Sequence, residues 1–382
     1  MGDTEDLDPF VNIHALAKEC GESWPCFQES VATTRESEAI IRELFKDNER
    51  ILGSYASLVL CGSFARNEMV EGSDCDWTLL IDGGVDTAHT TIALEIQEAI
   101  KRGKGKDLEP PGSSGVFGNM CFSHNLVHRI GGSADTNENL TRRLLMILES
   151  KPISLSTADS SEIIWEGVVR NILERYFEED VHFSAKGERK VPRFLFNDLT
   201  RYWRTICVDY AAKHWDQGDA KWALRNAKLR FSRKLLYASG IAFCFACQLA
   251  PPNKTEVTLF GEEKDESPKP YIDLGIDFAK TPPLDYLAAF VRAYVKEEEK
   301  RKLIARKIFG GYNQWLEALG DQKVRKALTE LSHEAAPENP IFNENVRELS
   351  KEFASGLKLL FFDRDVEPDH PIADLSLEYV GF

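Results

Sequence analysis

Two short segments carry residues whose types and spacing suit phosphate chemistry. Gly62-Ser63 follows an apolar run that ends at Cys61, and Asp74-Cys75-Asp76 opens a second apolar run. Glycine lets a phosphate approach the backbone closely, and free N–H groups and the serine hydroxyl can hold it. Alternation along a strand places both aspartates on one face, where paired hard oxygen ligands suit Mg²⁺. This combination is typical of phosphoryl or nucleotidyl transfer.

The wider stretch resembles the nucleotidyltransferase superfamily with the polymerase-β-like fold. Between residues 62 and 76 it follows the pattern Gly-Ser-x-Ala-Arg-x-Glu-x-x-x-Gly-Ser-Asp-x-Asp. The resemblance covers about residues 55–150. It implies that Asp74 and Asp76 are catalytic and bind the metal. The nucleotide-binding residues that it predicts in this stretch are Gly62, Ser63, Arg66 and Ser73.

The same resemblance implies a third carboxylate on a neighbouring strand. Glu109 is the favoured candidate for this catalytic and metal-binding role, Asp107 is the alternative, and a ligand elsewhere in the chain is an equal third option. Pro110 limits how a strand can continue after Glu109. The Pro-Gly-Ser-Ser-Gly loop over 111–115 is loosely similar to the glutamine synthetase adenylyltransferase branch of the superfamily.

A predicted helix over 220–236 carries a narrow basic stripe between apolar residues. At about 100° per residue, three cations share this face, which suits the neutralisation of a triphosphate. Snorkelling side chains or buried ion pairs are the alternative interpretation. The stripe consists of Lys221, Arg225 and Lys228. The opposite side, predicted to be solvated, carries Arg230, Arg233 and Lys234.

The apolar periodicity predicts an α+β protein, in which a small mixed-sheet nucleotidyltransferase domain precedes a large all-α domain. Short apolar runs indicate strands at 57–61 and 77–81, and helical spacing dominates from about residue 160. The predicted parts are an N-terminal extension over 1–32, a catalytic domain over 33–158 and a helical domain over 159–382. The segment 251–283 is rich in charge, Pro and Gly, and is predicted to be a connector.

The charge balance limits the partners of the protein. A chain of 382 residues with a formal net charge of −15 is a poor candidate for a nucleic-acid coat protein, because neutralising phosphates needs a cationic surface. The acidic N-terminus lacks the apolar region of a secretory signal. No stretch approaches the roughly 18 apolar residues of a membrane span, so a cytoplasmic protein without a membrane partner is expected.

These features together predict an enzyme that requires Mg²⁺ or Mn²⁺. It would transfer a nucleoside monophosphate from a nucleoside triphosphate to an acceptor hydroxyl and release pyrophosphate. The predicted acceptor is a protein side chain or another nucleotide. An RNA 3′-end nucleotidyltransferase is a less favoured alternative because of the acidic charge balance. The other alternative is a non-catalytic nucleotide-binding sensor with the same fold.

Overall fold

The fold is mostly helical and contains one small mixed sheet, which confirms the predicted α+β class. A computed structural model describes residues 8–45, 55–103, 109–112, 116–155, 160–180, 191–219, 221–249, 269–364 and 371–380. The four strands are β1 Ala56–Cys61, β2 Trp77–Ile81, β3 Asn119–Phe122 and β4 Ser150–Pro152.

The helices alternate with the strands at first and then follow one another. The first seven are α1 Val11–Cys20, α2 Pro25–Phe45, α3 Gly62–Ala65, α4 Ala88–Arg102, α5 Ser123–Val127, α6 Asn137–Leu148 and α7 Ser161–Glu178. The next five are α8 Arg193–Gln217, α9 Trp222–Lys228, α10 Lys234–Gln248, α11 Lys269–Lys280 and α12 Pro283–Tyr294. The last six are α13 Glu298–Ala305, α14 Gly311–Gly320, α15 Gln322–Glu330, α16 Pro340–Phe342, α17 Leu349–Phe362 and α18 Pro371–Tyr379. Three π-helical segments, Leu229–Arg233, Arg306–Gly310 and Asn343–Glu348, and the 3₁₀ turn Ala336–Glu338 lie between them.

The sheet has the strand order β3-β2-β1-β4. β1 pairs antiparallel with β2 and with β4, whereas β2 and β3 are parallel. Every residue of β1 and β2 is buried, which explains why both strands read as unbroken apolar runs. The core around them includes Ile41 and Phe45 of α2 and Ile96 and Ile100 of α4.

The described residues form two compact units. The sheet unit contains residues 30–205 and 269–280, and the helical unit contains residues 8–29, 206–249 and 281–380. The predicted domain division after residue 158 differs from this arrangement. The reason is that α7 packs against β1 and α11, so it belongs to the sheet unit.

The predicted N-terminal extension and connector both contain helices. In the helical unit, α1 packs against α12, so residues 8–29 are part of that unit's fold. Residues 269–280 of the predicted connector form α11, which packs against α7. Residues 251–268 of that prediction lie outside the described residues. None of the described helices is both long and apolar enough to cross a membrane.

The first turn of α1 is capped by a side chain that is far away in the sequence. The carboxylate of Asp285 accepts hydrogen bonds from the N–H groups of Asn12 and Ile13 at 2.8 and 3.0 Å. It also accepts one from the Asn12 side-chain amide at 2.9 Å. Phe10 at the N-cap position has no side-chain oxygen, so Asp285 satisfies these donors instead. Burial raises the pKa of Asp285 to about 6, although the hydrogen bonds favour its charged form.

Asp285→Asn is expected to remove one component of the pH dependence of stability. The Asp285 pKa is 3.8 in the reference state and about 6 in the fold, so the native state binds more protons between these values. Its contribution to the free energy of unfolding therefore decreases as the pH rises through this window, by on the order of 3 kcal/mol. Urea unfolding of both proteins at several pH values measures the difference. Parallel profiles for the wild type and the variant would contradict the prediction.

Candidate functional site

Antiparallel pairing of β1 and β2 brings the two phosphate-chemistry segments together. The end of β1 lies beside the start of β2, and the N–H of Cys61 donates to the Asp76 carbonyl at 2.8 Å. Gly62 follows with a φ of +66°, a conformation that favours glycine. A Cβ atom at Gly62 would lie 2.8 Å from Oδ2 of Asp76. The absence of a side chain at Gly62 therefore leaves room for the carboxylate of Asp76.

Glu109 lies beside Asp74. The two residues form a single parallel β-bridge, and the N–H of Cys75 donates to the Glu109 carbonyl at 2.7 Å. Paired residues on adjacent strands project from the same face, so Glu109 and Asp74 emerge side by side. Asp107, the alternative third carboxylate, lies outside the described residues.

Burial alternates along Asp74-Cys75-Asp76-Trp77 as predicted. Cys75 and Trp77 are fully buried in the core, whereas Asp74 and Asp76 are half-buried. The two carboxylates thus share the face opposite the core. Burial raises the pKa of the Cys75 thiol to about 12, so this cysteine is protonated at neutral pH and is a poor nucleophile.

The two predicted serines both precede the acidic segment, Ser63 in the short helix α3 and Ser73 directly before Asp74. The Ser73 side chain is buried, and its Oγ accepts a hydrogen bond from the Val70 N–H at 3.0 Å. This turn sets the path of the chain directly before Asp74. Ser63 is half-buried in the short helix α3, and its carbonyl accepts from the Glu68 N–H at 2.8 Å.

Arg66, predicted to bind nucleotide, is instead held by carboxylates of the protein. Its Nε donates to Glu68 at 2.8 Å, and Nη1 donates to Glu149; all three side chains are buried. This cluster ties the segment after α3 to the end of α6, next to β4. Glu149 was not among the predicted site residues, because nothing near it in sequence identifies a partner 83 positions away. The geometry supports a positioning role for Arg66.

The carboxylate oxygens of Asp74 and Asp76 are ligands that suit a hard divalent cation. Within the described residues, no three His, Cys, Asp or Glu side chains are grouped closely enough to hold a metal ion by themselves. Mg²⁺ is usually bound through one or two carboxylates together with substrate phosphates and water. Two half-buried aspartates at this edge of the sheet, one of them close to the backbone of Gly62, fit that mode of binding.

The predicted basic stripe belongs to the helical unit. Lys221 is exposed and has a positive φ of 56°, whereas Arg225 and Lys228 are half-buried. An Nη atom of Arg225 donates to the Gly218 carbonyl at 3.2 Å. The prediction that the opposite side is solvated was wrong, because all three cations there are half-buried. They are Arg230, Arg233 and Lys234.

No family model matches the chain, and no curated protein or solved structure matches it either. The interpretation of this edge of the sheet therefore depends on its own geometry and on the sequence pattern that it contains.

Proposed function

We propose that the protein is a metal-dependent nucleotidyltransferase. It transfers a nucleoside monophosphate from a nucleoside triphosphate to an acceptor hydroxyl and releases pyrophosphate. The main support is the convergence of Gly62, Asp74, Asp76 and Glu109 at one edge of the sheet. These residues come from three separate chain segments. Gly62, Asp74 and Asp76 match elements of the superfamily pattern, and Glu109 is the favoured candidate for its third carboxylate.

In this proposal Asp74 and Asp76, with Glu109, hold Mg²⁺ or Mn²⁺. Such a cation, when bound, lowers the pKa of the acceptor hydroxyl and stabilises charge on the phosphates. Glu109 pairs with Asp74 through a β-bridge, and in this proposal it would take up the acceptor proton. The backbone of Gly62 and the hydroxyl of Ser63 would hold the β- and γ-phosphates. Ser73 positions Asp74, and Arg66 positions the turn that carries Ser63.

The roles of Lys221, Arg225 and Lys228 in binding the triphosphate remain part of the proposal. Each is a cation of the helical unit, and charge-assisted hydrogen bonds from such groups stabilise phosphate oxygens. The proposed acceptor is a protein side chain or another nucleotide. A long RNA is less favoured, because it would meet the repulsion of a chain with a net charge of −15.

Incubation of the purified protein with labelled nucleoside triphosphates and Mg²⁺ tests the reaction and the acceptor together. The products are separated into small molecules, RNA and protein, and pyrophosphate is measured in parallel. Label in protein or in an oligonucleotide, with matching pyrophosphate, supports the proposal. Nucleotide hydrolysis to free phosphate alone, or no turnover with any acceptor fraction, contradicts it.

A non-catalytic nucleotide sensor is the second candidate function. The observation that favours it is that no three-ligand metal set is preassembled among the residues described. Equilibrium dialysis with a labelled triphosphate distinguishes the two functions when it is combined with the turnover assay. Tight binding of nucleotide without pyrophosphate release identifies a sensor, and release identifies the enzyme.

Gly62→Ala is expected to reduce turnover by on the order of 100-fold, because a small misplacement of a reacting group can cost this much. The new Cβ would lie 2.8 Å from Oδ2 of Asp76 and would force that carboxylate to move. The backbone conformation itself adds about 1–2 kcal/mol of strain. Pyrophosphate release and thermal unfolding of the variant measure the two effects separately.

Gly21→Ala is the matched control for this variant. Gly21 has the same φ of +66°, but a Cβ there would meet no atom within 4 Å. We expect a similar loss of stability with unchanged turnover. Equal losses of turnover in both variants would mean that strain alone, and not the displacement of Asp76, explains the effect.

A further inference from the structure

A cavity of about 320 Å³ lies in the sheet unit, between the end of β2, the short helix α5 and the second half of α7. It is separate from the proposed catalytic edge, because Asp82 in its wall follows β2 at the end opposite Asp76. Histidine and carboxylate side chains are prominent in its lining. They are Asp82, His124, His128, Glu174, Glu178 and Glu179.

The α5 turn carries the two histidines one helical turn apart. The N–H of His128 donates to the His124 carbonyl at 3.0 Å, and residues with this spacing are neighbours on one side of a helix. Their ring centres are 5.0 Å apart. Both side chains are exposed, and neither imidazole has a hydrogen-bond partner within the described ranges. The two rings can therefore bind one ligand together.

The surrounding structure fixes the position of this pair. The Ser123 hydroxyl donates to Oδ1 of Asp82 at 2.6 Å, which ties the start of α5 to the end of β2. α5 packs against α6 and α7, and its Leu126 and Val127 are buried. The separation of the two imidazoles is thus set by the fold, and a ligand that fits it binds without the cost of ordering the turn.

The α7 side of the cavity carries carboxylates without a counter-cation. Glu174 is half-buried and Glu178 is exposed, one turn apart on the helix. Neither side chain forms an ion pair or a hydrogen bond with another described residue. Among the described lining residues the only Lys or Arg is Arg175, and it pairs with Glu179. The cavity therefore has an excess of negative charge, which attracts a cation.

The separation of the two rings suits a shared metal ion. Zn²⁺ binds imidazole nitrogens at about 2.0–2.1 Å with tetrahedral angles, so two rings on one ion have their centres about 5 Å apart. Imidazole is a preferred ligand of Zn²⁺ and related transition metals, whereas Mg²⁺ prefers oxygen. Carboxylates beside ligating histidines commonly accept the second ring N–H, and Glu174 and Glu178 are available for this role.

We propose that His124 and His128 bind a divalent transition-metal ion such as Zn²⁺ in this cavity. The two imidazoles are the protein ligands, since no third His, Cys, Asp or Glu of the described chain is close enough to join them. Water or a donor group of a bound molecule fills the remaining positions. The site shares no residue with Asp74, Asp76 or Glu109, so the proposal is independent of the proposed enzymatic function.

Calorimetric titration of the full chain with Zn²⁺, without nucleotide or Mg²⁺, tests this inference. His124→Gln combined with His128→Gln is expected to remove one bound ion, because both ligands are lost. Glu174→Gln combined with Glu178→Gln should weaken binding by about tenfold, the usual effect of groups that support ligating histidines. Excess Mg²⁺ should not displace the ion, since imidazole is a poor ligand for Mg²⁺.

His214→Gln combined with His333→Gln is the matched control. These two histidines also form a ring contact, at 5.5 Å in the helical unit, but Trp222 packs against the His333 ring at 4.9 Å and Asp219 lies 3.7 Å from Nδ1 of His214. The control removes the same number of imidazoles and should leave the ion in the cavity bound. The Asp74→Asn, Asp76→Asn double variant should also retain it.

His128→Cys guards against a folding defect, because a thiolate is also a Zn²⁺ ligand and should preserve binding. Without metal, the His124→Gln, His128→Gln variant should unfold at the wild-type temperature, since both side chains are exposed. Three results would overturn the proposal. They are equal Zn²⁺ binding by the wild type and this variant, an equal loss of binding in the His214→Gln, His333→Gln control, and displacement of the ion by Mg²⁺.

Discussion

Replacement of Asp74 and Asp76 together by asparagine is expected to abolish nucleotide turnover, with a loss of about 1,000-fold or more. Asparagine keeps the size of the side chain, so the close approach of residue 76 to Gly62 is preserved. The charge that would hold a divalent cation is removed. Both residues are half-buried and face away from the core, so the fold should survive the change. Pyrophosphate release and thermal unfolding are the measurements.

Asp82→Asn is the control on the same strand. Asp82 directly follows β2 at the end opposite Asp76, and it accepts a hydrogen bond from Ser123 at 2.6 Å. We expect wild-type turnover from this variant. Wild-type pyrophosphate release by the double variant, with intact folding, would exclude Asp74 and Asp76 as metal ligands. In the same assay, Glu109→Gln shows whether Glu109 is the third carboxylate.

Arg143→Met is expected to destabilise the sheet unit by about 3–5 kcal/mol, because it breaks a buried ionic network. The Arg143 side chain is fully buried and donates to both oxygens of Asp135 at 3.1 and 2.9 Å. It also donates to Asp198 at 3.0 Å and to the Tyr176 hydroxyl at 2.7 Å. Methionine fills similar space but leaves two buried carboxylates without their cation.

Arg201→Met provides the comparison at the edge of the same network. Arg201 donates to Oδ2 and to the carbonyl oxygen of Asp135 at 3.4 and 3.1 Å, but 39% of its side chain is exposed. Solvent screens this pair, so the expected loss is about 1 kcal/mol or less. Urea unfolding of the wild type and of the two variants measures how much free energy of unfolding each substitution removes. Similar losses would show that burial does not determine the contribution of Arg143.

The elements that carry the site were predictable from local pattern. Strands expected at 57–61 and 77–81 are observed at Ala56–Cys61 and Trp77–Ile81, and the helical spacing expected from about residue 160 begins with Ser161–Glu178. Pattern analysis succeeds here because the apolar runs of the two strands are unbroken and the helix keeps a regular apolar spacing. The alternation that places Asp74 and Asp76 on one face is likewise a local property of extended backbone.

Partners far apart in the chain were not predictable. Glu149 pairs with Arg66 across 83 positions, and Asp285 caps α1 from 273 positions away. Helical phase placed Lys234 opposite the basic stripe but could not show that another helix covers that side. The division into two compact units differs from the predicted domain boundary for the same reason, because the packing of α7 on β1 has no local signal.

The sequence by itself determined the strand ends, the Gly-Ser and Asp-x-Asp segments and the common face of the two aspartates. These depend on turn chemistry and backbone alternation, which act within a few residues. Only the tertiary structure decided that Glu109 lies beside Asp74, that Arg66 is occupied by carboxylates and that His124 and Glu174 line one cavity. Register and burial are set by the packing of whole surfaces, in which distant residues share one environment.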